Sequence, residues 1–224
     1  MGSKLKSQPI EVEHGKLFGI TNAAIVHLEN GNKAVFKKHY SNCPRYGRNE
    51  VLAYRISKSL KINMVPETAP AVVEGVEGIM SAWANAETEL TIRNRRFLEF
   101  SKVENPSPHE LYKAAAFDYL ISNGDRHLGN FMRDTKGHLV LIDHAFSMES
   151  GRPAISDLIC FYGDHMKYSR KKRMALAKRL ERLDTNKLAT EFDLDIVEAS
   201  SFEQRRRDLI GAIRNDSLTA LWRP

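Results

Sequence analysis

Apolar and polar residues alternate along the chain from about Ile25 to the run Ala34-Val-Phe-Lys37-Lys38, a period of two that predicts strands, with Lys37 late in the last of them. The period then changes. Val51, Leu52, Ile56 and Leu60 recur at helical spacing and predict a helix that opens at Glu50. Two β-rich runs on either side of Gly75, from Ala71 to Met80, predict a hairpin. After the turn Asn105-Pro-Ser-Pro108, the segment His109 to Ile121 is composed of strong helix formers, with Leu111, Ala114, Ala115, Asp118 and Tyr119 marking two faces. Asp118 reads there as a polar surface residue. Leu139 to Ile142 reads as a short strand, Ser156-Asp157-Leu-Ile opens a further helix with Ser156 as its cap, and the chain is helical from about Tyr168 to Trp222. Strands gather in the first part and helices in the second, which predicts an α+β fold.

Composition adds limits to this picture. At 224 residues, 42% hydrophobic and 28% charged, the chain suits a soluble protein with one substantial core or two small lobes sharing a cleft. No apolar run approaches the roughly 18 to 20 residues that span a bilayer, and the N-terminus lacks the apolar core of a signal peptide, so the expected location is the cytoplasm. Met1-Gly-Ser-Lys-Leu-Lys6 lacks the Ser or Thr of a myristoylation signal. Cys43 and Cys160 stand alone, so neither a zinc site nor a disulfide framework is expected. The net charge of +6 concentrates in Lys167 to Lys187 and in Arg205-Arg206-Arg207. Arg170 to Arg173 are four consecutive cations, which read either as a solvated helix face or as a dock for an acidic partner or an anionic surface. No aromatic interleaving accompanies them, so there is no strong nucleic-acid signal.

Candidate chemistry lies in Asn123-Gly-Asp-Arg-His-Leu-Gly-Asn130 and in Leu141-Ile-Asp143-His-Ala. Phosphoryl transfer from a nucleotide needs one carboxylate to orient the attacking hydroxyl, and a second carboxylate with an amide oxygen to hold the metal on the phosphates. Asp125, Asp143 and Asn130 supply those groups. Asp125 and Asn130 stand five apart, a separation that lets one short loop aim a base outward and an amide at the metal. Magnesium prefers oxygen, so His127 and His144 are not expected as ligands. Upstream, a strand lysine followed by a helix glutamate forms the ion pair that holds nucleotide phosphates, and Lys37 and Glu50 fit that order. Strand alternation sends Lys37 and Lys38 to opposite faces and leaves open which of them faces the cleft. Gly19, Thr21 and Asn22 occupy the place of a phosphate-covering hairpin, or else form an ordinary β-turn. Met80 and Trp83 line an adenine pocket or belong to the core.

Asp125-Arg-His-x-x-Asn130 followed by Ile142-Asp143 resembles the phosphoinositide 3/4-kinase group and its small bacterial relatives, including HipA-like kinases. Ala145 stands where that pattern has glycine, and Ala resists backbone angles that Gly permits. The resemblance implies a compact two-lobed protein-kinase-like fold, with a lobe of about residues 10–84 and a helical lobe of about 85–224. It implies ATP with magnesium or manganese, Lys37 rather than Lys38 on the phosphates, and Arg126 and His127 as buttresses of the loop. A protein serine or threonine is the first acceptor it implies; a phosphoinositide or other small alcohol is the second. A catalytically weak module that binds a nucleotide or a partner is the third reading.

Overall fold

The computed structural model describes residues 4–14, 23–39, 45–98, 105–150 and 157–222. Gly19, Thr21, Asn22, Cys43 and Ser156 lie outside them. The alternating segments, with a first strand that was not expected, form a five-stranded antiparallel sheet of β1 (Pro9–Glu13), β2 (Ala24–Leu28), β3 (Lys33–Lys38), β4 (Thr68–Val73) and β5 (Val76–Ala82), in the order β1-β2-β3-β5-β4. The expected hairpin turns at Glu74 (φ 51°) and Gly75 (φ 76°), the two positive angles that a tight two-residue connection between twisted strands requires. One face of the sheet closes over Val26, Leu28, Ala34, Phe36, Val73 and Met80.

Helix α1 (Arg45–Ser59) packs against β4 and β5 and begins five residues before the predicted start at Glu50. Gly47 hides this start from propensity. Any side chain there would meet the His39 ring at 2.6 Å, so the glycine serves the close approach of the helix to the end of β3. The chain then crosses to a second, three-stranded sheet of β6 (Ala86–Thr88), β7 (Phe131–Asp134) and β8 (Leu139–Leu141). The helices around it are α2 (Glu89–Leu98), α3 (Pro108–Ile121), α4 (Asp157–Tyr162), α5 (Arg170–Glu181), α6 (Thr185–Glu191) and α7 (Ile196–Arg214). Leu52, Ala53 and Ile56 of α1, with Leu60 just past its end, share one large core with Leu111, Phe117 and Leu120 of α3 and Phe202 and Leu209 of α7. Among the described residues, no helix is long and apolar enough to cross a membrane.

Three expectations fail here. β6 and α2 were not foreseen, because a three-residue strand and an Arg-rich helix carry little periodicity. Helix α3 has no polar face, since Leu111, Tyr112 and every residue from Ala114 to Ile121 are buried. Nor are the basic runs simply exposed. Arg173 is buried and paired with Asp216, Arg205 is buried against the carbonyls of Leu120 and Glu149, and Arg206 and Arg207 bind Glu203. On α5, Arg170, Lys171 and Lys172 remain exposed.

Asp118 is the most consequential correction. It is 1% exposed, and it accepts from Arg126 Nε (3.0 Å) and Nη2 (3.1 Å). The same buried guanidinium donates to the carbonyls of Asn130 and Ile142, the latter at 2.7 Å. One side chain thus ties α3 to the residue before β7 and the residue after β8. A buried charge that loses its partner is expensive, so Asp118→Ala should cost about 3–5 kcal/mol. Chemical denaturation measures this, and the loss should far exceed that of a typical surface substitution.

Candidate active site

Strand β3 pairs Lys37 with Ile79 and Phe36 with Met80, which puts Lys37 on the face toward α1 and Phe36 on the face of the upper cluster. Lys37 Nζ donates to Glu50 Oε1 of α1 (2.5 Å) and to Asp143 Oδ1 (3.1 Å). Of the two lysines, Lys37 is the one that meets Glu50 and Asp143, while Lys38 is exposed. Burial alone pushes the Lys37 ammonium down, but the Glu50 and Asp143 carboxylates outweigh it and hold the group above the ordinary lysine value.

Burial likewise pushes Glu50 up, yet the charge of Lys37 and the hydrogen bond from His144 leave its carboxyl well below the usual range. His144 Nδ1 lies 3.3 Å from Glu50 Oε2, and its ring meets Phe117 edge-on. Burial, aided by the Arg126 charge, pushes His144 down despite the Glu50 hydrogen bond. His144 is therefore a neutral packing partner behind the ion pair, a role its sequence position beside Asp143 did not reveal.

The loop after α3 supplies the remaining groups. Asn123 Oδ1 accepts from the Asp125 N–H, and Asn130 Nδ2 donates to the Asp125 carbonyl (2.8 Å) and to its Oδ2 (3.2 Å). The Asp125 side chain is 43% exposed and so open to an incoming hydroxyl. His127 holds the loop only locally, accepting from the Gly129 N–H at 3.0 Å, while Arg126 carries the tertiary bracing. The β7–β8 ladder pairs Phe131 with Leu141 and continues in a bond from the Ile142 N–H to the Asn130 carbonyl, so Asp143 follows directly on the partner of Asn130.

Asp143 adopts a left-handed backbone (φ 56°), which Asp tolerates better than most residues. Ala145 does not take a positive φ, so the missing glycine is not needed for the backbone in this conformation. With one amide oxygen and one carboxylate, Asn130 and Asp143 suit a hard cation that keeps water and phosphate oxygens as its other ligands, which is the behaviour of magnesium. Among the described residues, no group of three or more His, Cys, Asp or Glu side chains could hold a metal by itself.

Not every candidate joins this cluster. Met80 lies on the far face with Phe36, in the upper cluster, and the expectation that it lines an adenine pocket is overturned by the strand register. The face of Lys37 carries its partner Ile79 and also Val35 with its partners Ile25 and Ser81; alternation could have found Val35, but the partners follow from the strand register. Trp83 is exposed at the crossing between the sheets, its N–H bonded to the Lys33 carbonyl.

Residues 93–158 match the family described as phosphatidylinositol 3- and 4-kinase, a span that contains Asp125, Asn130 and Asp143. No curated protein sequence matches. Among solved structures, a proinflammatory kinase of Helicobacter pylori, CtkA, is similar over 92% of this chain and 95% of its own, at 16% identity and a TM-score of 0.53. The Golgi casein kinase is similar over 94% of this chain and 73% of its own, at 12% identity and a TM-score of 0.53. At such identities the likeness is one of fold, and nothing in these matches carries the HipA-like side of the resemblance. The chain has the fold of these kinases, and its residues 93–158 match the phosphatidylinositol 3- and 4-kinase family.

Proposed function

We propose that the protein is an ATP-dependent phosphotransferase that acts on an alcohol, with a protein serine or threonine as its acceptor. The observation that carries this reading is the chain of contacts from Glu50 through Lys37 to Asp143, which joins α1, β3 and the end of β8 at one point. Lys37 binds the nucleotide phosphates and Glu50 anchors it. Asn130 and Asp143 hold magnesium, which neutralises phosphate charge when bound. Asp125 accepts the hydrogen bond of the attacking hydroxyl and orients it. Ile25 and Val35 flank the adenine face above Lys37, with Trp83 near the crossing where backbone groups meet the base. The expected phosphate-covering residues Gly19, Thr21 and Asn22 belong to the same proposal.

The protein acceptor is favoured because the similar structures are a proinflammatory kinase and a casein kinase. A phosphoinositide acceptor is the second reading, and the family match over residues 93–158 supports it. Radiolabelled ATP with the protein alone, with cell lysate and with phosphoinositide vesicles separates the two. Label in protein bands supports the first reading and label in lipid the second; in both cases Asp143→Ala should abolish transfer while thermal melting stays close to that of the parent. An unlabelled outcome in every arm would reject phosphotransfer.

The two lysines give a sharper check. Charge at the phosphates is worth several kcal/mol in the transition state, so Lys37→Met should lower kcat on the order of a hundredfold or more, whereas Lys38→Met should retain most activity. The reverse result would overturn the assignment.

The acid side of the stability profile tests Glu50. A carboxyl held below its ordinary pKa stabilises the fold fully above about pH 4.3, and this contribution is lost as the pH falls further. The melting temperature of the parent should therefore drop more steeply between about pH 5 and pH 3 than that of Glu50→Gln, which has no such proton to take up.

A further inference from the structure

Arg48, Asn49 and Glu50 are consecutive on α1, and each reaches a different part of the molecule. Glu50 takes Lys37, as above. Asn49 is 4% exposed, and its Nδ2 donates to the carbonyls of Ala145 (3.0 Å) and Ser147 (2.7 Å), in the turn that follows Asp143. Its Oδ1 accepts from Arg48 Nε (3.3 Å) and Nη2 (3.2 Å). The Arg48 guanidinium in turn donates to Glu198 Oε1 (2.6 Å) and to the Asp193 carbonyl (3.0 Å). Glu198 belongs to the capping box, shared with Asp195, that starts α7.

The turn needs this support. It is bounded by two left-handed residues, Asp143 (φ 56°) and Met148 (φ 65°), and it lies in neither helix nor strand. Its backbone bonds run from the Ser147 N–H to the His144 carbonyl and from the Met148 N–H to the Ile121 carbonyl. Ala145 and Ser147 are buried, so without the Asn49 amide their carbonyls would face the cost of an unmade hydrogen bond, and the turn would shift to find other donors. Asp143, at its start, would shift with it.

We propose that Asn49 is a positioning residue for phosphotransfer: it keeps residues 145–147 in register with Glu50, so that Asp143 meets Lys37 and the metal from a fixed direction. Arg48 polarises the amide and anchors it to the start of α7. The inference rests on the phosphotransferase reading given above.

The test compares Asn49→Ala and Asn49→Asp with Ile56→Val, a core change on the same helix that serves as the control for lost stability. Asn49→Asp keeps the shape but turns a carboxylate toward two carbonyls. Both Asn49 variants should lower kcat roughly tenfold to a hundredfold, the range expected when support behind a metal ligand is lost, and should raise the magnesium concentration for half-activity. Hydrogen exchange of the amides at 144–148 should quicken in the same variants. Ile56→Val should lower the melting temperature without either change. Should the Asn49 variants fail to fold, Arg48→Met removes the anchor outside the turn, with the same directions expected in magnesium requirement and exchange.

Unaltered exchange at 144–148, or a loss of activity in Ile56→Val equal to that of Asn49→Ala at matched melting temperature, would overturn the proposal. If the parent protein transfers no phosphate, the phosphotransferase reading fails by itself. Exchange then still decides whether Asn49 holds the turn.

Discussion

A fully buried guanidinium has five donors and no water, and the lower half of the molecule is arranged around satisfying the one at Arg126. Its acceptors are the Asp118 carboxylate and the carbonyls of Asn130 and Ile142, groups that belong to a helix and to the ends of two strands. Each must arrive at the same place, because a guanidinium left short of acceptors in the core costs more than a small fold can spare. The loop between Arg126 and Asn130 is the part of the chain that this requirement constrains most. The bond from Arg126 to the Asn130 carbonyl closes that loop on itself.

The upper half meets a different electrostatic demand. Two carboxylates, Glu50 and Asp143, approach one ammonium, so the cluster carries one more negative than positive charge before any ligand is present. Glu50 is closed off by burial and by His144, while the Asp143 side chain remains 35% exposed. The excess charge therefore sits on the more accessible carboxylate. A divalent cation arriving with an anionic ligand would meet that charge where solvent still reaches it.

How legible this was depended on the range of the interactions. Asp125 and Asn130 lie on one short loop and Asp143 just past the β7–β8 hairpin, so local spacing was enough to expect these three side chains close together. Choosing Lys37 over Lys38 required the register with Ile79 and the position of α1, which alternation does not contain. Met80 misled for a related reason: Ile79 and Met80 are both buried, because both faces of β5 are covered, and apolar identity does not say which face is the cleft. Asp118 looked like surface because its partner stands eight residues on, beyond the helix, where no i, i+4 pattern could pair them. The buried Arg173 and Arg205 were hidden likewise. Their acceptors lie on other elements, and a run of cations carries no sign of which members turn inward.

The inward face of α1 has a dynamic meaning. Leu52 and Ile56, with Leu60 just past the end of the helix, are at most 1% exposed and belong to the large core rather than to the cluster above the five-stranded sheet. Swinging this helix outward, so as to part Glu50 from Lys37, would bring those side chains into water at a cost on the order of 5 kcal/mol or more. A swung-out state would then hold well under about 1% of the molecules at equilibrium. The ion pair is in effect a built-in part of the resting protein. A partner that parted Glu50 from Lys37 would have to bind the swung-out state more tightly by at least that cost.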